Sequence, residues 1–154
     1  MYKRQSFDYA QGWYFVTICT DGKQKILCDL VGRGALTPPL INLTPIGRVV
    51  EKHILRTGDI YPSVTIDKYV IMPNHVHLII VIRAPDGGVR APRPTYLPSV
   101  VRSIKAMVTR EVGHSVWQAS FYDHIIRSRP DYLRIWQYID ENPARWAEDE
   151  YYSM

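Results

Sequence analysis

The chain has few cysteines and no long apolar run. Cys19 and Cys28 are too few and too unpatterned for a disulfide scaffold or a cysteine-ligated zinc site, so each is expected to be a small buried hydrophobe. No apolar stretch approaches the roughly 20 residues that cross a bilayer, and no apolar core follows the basic N-terminal residues as in a secretory signal. We therefore expect a cytoplasmic protein without a membrane partner.

Acidic residues are scarce in the middle of the chain. Between residues 83 and 129, eight lysines and arginines face only three acidic residues, and the formal net charge of the whole chain is +4. A basic stretch of this kind favours a polyanionic partner such as nucleic acid. The candidate phosphate contacts are Arg102, Lys105, Arg110 and Arg127, for each of which an ordinary solvated charge is an equally good interpretation.

The length and composition are those of one folded domain. At 154 residues, with 46% hydrophobic and 22% charged residues, the chain has enough material for one core but not for two ordinary domains. No internal repeat or low-complexity tract divides the sequence. Residues 1–154 are therefore expected to form a single domain with a single site.

Hydrophobic periodicity and turn signals predict the main elements. Strands are predicted at residues 12–20, 63–73, 75–83 and 116–128, and helices at residues 44–58, 97–115 and 129–149. Thr44 and Pro45 cap and open the first helix. Two short strands are compatible with residues 25–43, and residues 84–96 are predicted to be a loop. The apolar positions assigned to the last helix are Tyr132, Leu133, Trp136 and Ile139.

The element order is strand, helix, strand, strand, helix, strand, helix, which is a split βαβ pattern. This order predicts an α+β, ferredoxin-like or RRM-like sandwich, in which an antiparallel central sheet carries helices on one face. One further helix follows at the C-terminus. Because a fold of this class hosts many functions, the function has to be argued from the site.

Two histidines interrupt an apolar strand in the segment YVIMPNHVHLII, residues 69–80. Because side chains alternate along a strand, His75 and His77 project from the same face, about 7 Å apart. They would hold a metal ion only with a third ligand from elsewhere in the chain. On this segment alone the more common alternative, two polar residues on a solvated face, stays open.

Two other histidine-based enzyme classes fit the sequence poorly. The histidine-triad nucleotide hydrolases carry a third histidine at the position of Ile79. The two-histidine phosphodiesterases need a repeated His-x-Thr or His-x-Ser, and no second copy is present. The remaining histidines, His53, His114 and His124, each stand alone and are expected to be structural.

A tyrosine and an asparagine near the C-terminus are candidates to complete the site. In QYIDENPARW, residues 137–146, Tyr138 and Asn142 are four residues apart and so lie on one face of a helix. Two imidazoles and an amide oxygen suit Mg²⁺ or Mn²⁺, and imidazole favours Mn²⁺. Because Pro143 is expected to end or kink the helix, a half-buried Tyr138 and a capping Asn142 remain an alternative.

Four segments, in this order and spacing, resemble one known family. DYAQGWYFVTICT, YVIMPNHVHLII, VWQASFYDHIIRS and YIDENPARW are similar to the single-tyrosine transposases of the HUH nuclease superfamily. The nearest group is the REP-associated tyrosine transposases and their insertion-sequence relatives. The similarity covers nearly the whole chain, and it implies a central sheet against which the C-terminal helix brings the nucleophile.

The resemblance implies a role for each candidate residue. His75, His77 and Asn142 match the family's ligands for a divalent metal ion, Mg²⁺ or Mn²⁺, and Tyr138 matches its nucleophile. The implied activity is metal-dependent cleavage and transfer of single-stranded or hairpin DNA through a 5′-phosphotyrosine intermediate. Family members act as homodimers or as monomers, so both states remain open. The alternative from another class is a non-catalytic single-stranded nucleic-acid-binding module, although the third strand lacks the Gly-Phe-rich signature of an RRM.

Overall fold

The computed structural model of the chain describes residues 12–32, 39–83 and 96–146. The strands in these ranges are Gly12–Cys19 (β1), Cys28–Val31 (β2), Leu40–Leu43 (β3), Val64–Met72 (β4), His75–Ile82 (β5) and Tyr122–Ile125 (β6). The helices are Pro45–Leu55 (α1), Thr57–Ile60 (α2), Leu97–Val112 (α3) and Arg129–Glu141 (α4). Among these helices none has the length and apolar content needed to cross a membrane. The predicted loop at residues 84–96 falls almost wholly outside the described ranges.

Four strands form an antiparallel sheet in the order β4-β5-β1-β6. This order confirms the predicted ferredoxin-like α+β sandwich, in which the first and third strands of the split βαβ pattern lie at the centre. The strands β2 and β3 pair separately as a two-stranded sheet, as the sequence of residues 25–43 allowed. The segment Pro73–Asn74 joins β4 to β5, whose Met72 and His75 are directly opposite each other.

Helix-terminal signals in the sequence agree with the observed ends of α1 and α3. The hydroxyl oxygen of Thr44 accepts a hydrogen bond from the Gly47 backbone N–H at 3.0 Å, so Thr44 caps α1 as predicted. Gly47 has no room for a side chain, because a Cβ atom there would lie 2.0 Å from the Leu27 carbonyl oxygen. Gly113 ends α3 in the left-handed conformation, with a φ of 94°.

The first face of the sheet is covered by α1 and α3 and holds the larger hydrophobic core. Alternate residues of β1 and β5, including Tyr14, Val16 and Ile80, belong to this core and are fully buried. Fully burying a side chain of this kind contributes about 1.5–3 kcal/mol. The core also includes Val50 and Ile54 of α1 and Val100, Ile104 and Val108 of α3.

The second face of the sheet is covered by α4. Ile135 and Ile139 of this helix pack with Ile79 of β5 in a smaller apolar cluster. The predicted apolar positions of α4 are therefore wrong in part: Leu133 and Trp136 are 50% and 38% exposed. Helical periodicity alone does not distinguish the side of Leu133 and Trp136 from the side of Ile135 and Ile139. The contact of α4 with the sheet determines which of the two sides is buried.

The helix α4 ends next to Pro143, but helical backbone geometry extends to its C-cap residue. The helix α4 ends at Glu141, yet Asn142 keeps helical angles of φ −56° and ψ −44° in spite of the following Pro143. A further turn follows, in which the Arg145 N–H donates to the Glu141 carbonyl at 3.1 Å. The expectation that Pro143 ends or kinks the helix is therefore confirmed in its first form: Asn142 is the C-cap of α4, and because it keeps helical angles, its side chain stays on the face set by α4.

Candidate active site

His75 and His77 lie side by side in the buried centre of the second face. Their ring centres are 4.5 Å apart, and the two residues are 0% and 1% exposed. The two histidines are therefore not polar residues on a solvated face, and the alternative left open by the sequence is wrong. Each ring lies in a row across the sheet, between Cys19 and Met72 for His75 and between Thr17 and Val70 for His77.

A neighbouring oxygen orients each imidazole through Nδ1. His75 Nδ1 lies 2.8 Å from Asn74 Oδ1, and His77 Nδ1 lies 2.9 Å from Thr17 Oγ1. Because a carboxamide oxygen only accepts, His75 Nδ1 carries the proton and donates. In the neutral ring this makes Nε2 the nitrogen available to a metal, an arrangement typical of histidine ligands.

Thr17 and Asn74 are the site residues that the sequence reasoning missed. Asn74 directly precedes His75 in the motif, so its proximity was visible in the sequence but its orienting contact was not. Thr17 is 60 positions from His77, and only the pairing of β1 with β5 brings the two together.

The protonation of His77 is controlled by its surroundings. Burial lowers the pKa of His77 well below its ordinary value, and the adjacent His75 lowers it further. His77 is therefore neutral near pH 7, which is the form of imidazole that binds a metal ion.

Tyr138 on α4 lies over His77 and remains open to solvent. Its ring centre is 5.3 Å from that of His77 and 6.1 Å from that of Phe15, which it meets edge to face. The residue is 42% exposed. Tyr138 thus combines contact with the histidine pair and access for an external substrate, as a nucleophile requires.

Asn142 lies, in the helical sequence, midway between two aromatic residues that contact the histidine pair. Tyr138 contacts His77 one turn before it, and Trp146, one turn after it, has its ring centre 6.0 Å from that of His75. Because residues four apart share a helix face, Asn142 lies on the side of the helix that faces the two rings. Its side chain is 2% exposed, so the amide is buried at this interface.

Three contacts with β4 fix the rotation of α4 on the sheet. The Tyr132 hydroxyl donates to Asp67 Oδ2 at 2.6 Å, where a bulge interrupts the pairing of β4 with β5. Lys68 Nζ lies 3.1 Å from Asp140 Oδ1 and 3.9 Å from the centre of the Trp136 ring. Tyr132 is therefore an anchor of the helix rather than a second tyrosine beside the histidines.

The donor set fits a divalent cation only if an amide oxygen takes part. Within residues 12–32, 39–83 and 96–146, no three His, Cys, Asp or Glu side chains gather closely enough to hold a metal ion. The predicted set of His75, His77 and Asn142 instead supplies two imidazole nitrogens and one carboxamide oxygen. Such a mixed set, completed by water and substrate oxygens, suits Mn²⁺ and Mg²⁺.

Three of the four predicted phosphate contacts line one groove on the other side of the molecule. Arg102, Lys105 and Arg110 of α3 border a groove of about 720 Å³, whose other wall is residues 115–121. Lys105 also has a structural role, because Nζ donates to the Gln118 carbonyl at 2.7 Å. Arg127 is exposed but is not among the groove-lining residues.

The same wall explains why the predicted strand at residues 116–128 is shorter in the structure. Only Tyr122–Ile125 pairs along β1, whereas Trp117 makes a single bridge to Thr20. The residues between them form the wall of the groove and are tied to α3 through Lys105.

The other three histidines, His53, His114 and His124, are not part of the His75–His77 pair. His53 Nε2 is 2.9 Å from Glu111 Oε1 and links α1 to α3. His124 Nε2 is 2.8 Å from Asp131 Oδ2 and links β6 to α4. Both contacts agree with the expected structural roles, and His114 is exposed after the end of α3.

The fold and the arrangement of the candidate site together define a class of protein. It is a ferredoxin-like α+β protein with a buried histidine pair on the sheet and an accessible tyrosine on the helix that covers it. No protein-family model matches the chain. A solved structure described as a REP-associated tyrosine transposase bound to a REP hairpin has a TM-score of 0.67 and 21% identity, covering 97% of this chain and 77% of that one.

Sequence comparison gives two relatives. An uncharacterised protein of Haemophilus influenzae is 34% identical in an alignment of 161 positions that, with its gaps, covers 93% of this chain and 86% of the relative. A REP-associated tyrosine transposase of Escherichia coli K12 is 31% identical over 81 residues, which is 52% of this chain but only 44% of that protein. The chain belongs to the same family as the Haemophilus influenzae protein, and it is similar to REP-associated tyrosine transposases in fold and, over about half of its length, in sequence. This similarity supports a transposase role.

Proposed function

We propose that the protein cleaves and transfers single-stranded or hairpin DNA in the cytoplasm, through a covalent 5′-phosphotyrosine intermediate. The observation that carries this proposal is the contact of the exposed Tyr138 with the buried His77, whose ring centres are 5.3 Å apart. The solved relative bound to a REP hairpin supports a hairpin as the substrate.

The proposed reaction is a transesterification that needs no external energy source. Tyr138 Oη attacks the scissile phosphorus, so an O–P bond forms to the tyrosine while the bond from phosphorus to the 3′ oxygen breaks. The electron pair of that bond stays on the 3′ oxygen, which takes a proton and leaves as a free 3′-OH. The phenolic proton passes to a bound water that acts as base. Attack by a later 3′-OH reverses the step and joins a new strand.

The residues proposed to hold a divalent cation are His75, His77 and Asn142. Such a cation, Mg²⁺ or Mn²⁺, would polarise the scissile phosphate and stabilise the charge that develops on it. Asn74 and Thr17 hold the two imidazoles in the orientation that this requires. The aromatic rings of Tyr138 and Trp146 contact His77 and His75, respectively.

One chain supplies both the tyrosine and the histidines of this site. The contact between Tyr138 and His77 lies within a single copy of α4 and β5. We therefore propose that a monomer can carry out one cleavage. A homodimer would supply the two tyrosines needed for the two cleavages of a complete transposition. Adduct formation per chain should then be independent of protein concentration.

DNA outside the cleaved bond is proposed to contact Arg102, Lys105, Arg110 and Arg127. The first three line one groove, and arginine and lysine are side chains that contact phosphate oxygens. Arg127 directly precedes the cap of α4 and is exposed. These contacts would supply salt-dependent affinity rather than sequence recognition.

The experiment is an adduct assay with labelled hairpin DNA and Mn²⁺ or Mg²⁺. We expect a denaturant-stable protein–DNA adduct and an equal amount of DNA with a new, enzymatically extendable 3′-OH. Chelation by EDTA and the variant His77→Ala should both remove the adduct. The exposed and isolated His114 provides the control variant, His114→Ala, which should behave as wild type.

Binding and chemistry are separated in the same assay. If the wild-type protein binds the hairpin but forms no adduct with either metal, strand transfer is wrong and a non-catalytic nucleic-acid-binding module remains. Because chelation leaves the chain unchanged, it tests the metal even if His77→Ala fails to fold.

A further inference from the structure

The edge strand β6 presents two side chains on the same face as the histidine pair. Tyr122 is directly opposite Thr17 on β1, and Thr17 is opposite His77 on β5. Side chains directly opposite each other in antiparallel strands share a face. Tyr122 therefore lies in the same row of the sheet as His77, two strands and about 10 Å away. By the same register, His124 shares a face with Phe15, which contacts Tyr138.

The side chains of Tyr122 and His124 are exposed to solvent, whereas the centre of this face of the sheet is buried. Tyr122 is 66% exposed, the highest value among the large hydrophobic side chains in the described part of the chain. The side chain of His124 is 54% exposed. The helix α4 packs over β4 and β5 and reaches β6 through Asp131, but it leaves Tyr122 and His124 exposed. An exposed aromatic row thus borders the accessible side of Tyr138.

His124 is held in place by the helix that carries Tyr138. Its Nε2 lies 2.8 Å from Asp131 Oδ2, and the Asp131 backbone N–H donates to the capping hydroxyl of Ser128 at 3.2 Å. Arg134 contacts the same carboxylate from one turn further along α4. The contact with Asp131 therefore fixes the orientation of His124 relative to the first turn of α4, the helix that carries Tyr138.

We propose that Tyr122 and His124 form a stacking platform for the bases of the single strand that leads to the scissile phosphate. This inference rests on the proposed function, because it assigns a binding surface to the strand that Tyr138 would cleave. Rings exposed along a strand stack on bases of any sequence, since every base has an aromatic face. The exposed Arg127 and Arg129, which follow β6 directly, would contact the phosphates of the same strand.

The platform has a different task from the basic groove beside α3. A groove lined by Arg102, Lys105 and Arg110 recognises backbone charge, which duplex and single strand share. A stacking platform requires unpaired bases and therefore selects a single strand. Because it is about 10 Å from His77, it would position the nucleotides next to the cleaved bond.

The test compares DNA with and without bases. Fluorescence anisotropy would measure binding of a labelled hairpin with an oligothymidine tail, at either its 5′ or its 3′ end, and of the same hairpin with an abasic tail. For wild type, removing the bases of one tail should weaken binding about five- to hundredfold. The variant Tyr122→Ala should lose this difference, and Tyr122→Phe, which keeps the ring, should retain it. Tyr96→Ala, which removes a 46% exposed tyrosine at the start of α3, is the control and should match wild type.

Each outcome of this comparison decides the proposal. Equal affinity of wild type for the base-containing and abasic tails, or an unchanged difference in Tyr122→Ala, overturns the platform even if the adduct assay succeeds. A base-dependent affinity that Tyr122→Ala removes supports the platform even if no adduct forms, in which case only the proposed chemistry fails. Absence of any binding to the hairpin overturns both. If sedimentation shows that Tyr122→Ala instead dissociates a dimer, the exposed ring is a contact between copies and the platform is wrong.

Discussion

Thr17 Oγ1 lies 2.9 Å from His77 Nδ1, across the pair of central strands β1 and β5. Thr17 is 4% exposed and His77 is 1% exposed, so this contact is made in the interior of the sheet. The orientation of His77 therefore depends on the pairing of these two strands. Two of the three proposed metal ligands, His75 and His77, belong to the sheet, whereas Asn142 and the proposed nucleophile Tyr138 belong to α4 and its C-cap.

Substitution of Thr17 by valine should weaken both metal binding and the fold. The valine keeps the shape of the side chain but removes the oxygen that orients His77. We expect Mn²⁺ affinity to fall about 10- to 100-fold, and the free energy of unfolding to fall by about 1–3 kcal/mol. Isothermal titration with Mn²⁺ and urea denaturation measure the two effects.

A second threonine provides the control for this variant. Thr65 on β4 bonds to Arg83 at the exposed edge of the sheet, so Thr65→Val should leave Mn²⁺ affinity unchanged. Equal Mn²⁺ affinities of Thr17→Val and wild type would show that His77 is not oriented by Thr17 for metal binding.

Asn142 should tolerate a carboxylate better than an apolar side chain. If its amide oxygen is a ligand, Asn142→Ala should lower Mn²⁺ affinity at least about tenfold, whereas Asn142→Asp should retain or raise it, because carboxylates bind Mn²⁺ and Mg²⁺ well. The control is Asn42→Ala on the exposed side of β3. A drop in affinity for Asn142→Asp as large as that for Asn142→Ala would assign Asn142 a purely structural role.

Tyr132 should make the docking of α4 sensitive to alkaline pH. Burial, together with the hydrogen bond to Asp67, raises the pKa of Tyr132 from 10.0 to about 12. Because the folded protein favours the neutral phenol, this stabilisation is complete below about pH 10 and is lost as the pH rises through about 12. The difference in unfolding free energy between wild type and Tyr132→Phe should therefore shrink over that window.

The comparison with Tyr132→Phe removes the effect of other alkaline groups. The pKa of Tyr69, which is partly buried and bonded to Glu51, is also raised to about 12, but Tyr69 is present in both proteins. A difference that stays constant from about pH 10 to about pH 12 would show that the Tyr132 phenol has the same pKa in the folded and unfolded chains.

The groove residues Arg102 and Lys105 should differ in what they contribute. Arg102→Gln should lower DNA affinity and reduce the slope of log K against log salt by about 0.7–0.9, as expected for one lost phosphate contact. Lys105→Met should in addition lower the melting temperature, because the Lys105 ammonium holds the Gln118 carbonyl. Arg48→Gln on the exposed side of α1 is the control. Identical salt slopes for Arg102→Gln and Arg48→Gln would exclude the groove from DNA binding.

The sequence predicts those features of the fold that local signals determine. Thr44 and Pro45 mark the start of α1, and Pro73 and Asn74 mark the turn between β4 and β5. The strand alternation also predicts correctly that His75 and His77 share a face. These features depend on residues that are neighbours in the chain, so composition and spacing suffice to find them.

Features that depend on distant partners are not predicted. The buried side of α4 is set by its contacts with Asp67 and Lys68 on β4, which no periodicity within the helix reveals. The role of Thr17 depends on the register of β1 with β5. The family resemblance names Tyr138, but the proposed nucleophilic role of this residue stays a prediction until chemistry tests it.

The most direct measurement is peptide mapping of the covalent adduct by mass spectrometry. After incubation with hairpin DNA and Mn²⁺, nuclease and protease digestion should leave a nucleotide on the peptide that contains Tyr138. Because Tyr138 is 42% exposed, Tyr138→Phe should fold normally and bind the DNA but form no adduct. An adduct that persists in Tyr138→Phe, or that maps to Tyr122 or Tyr132 in the wild-type protein, would contradict the assignment of Tyr138 as the nucleophile.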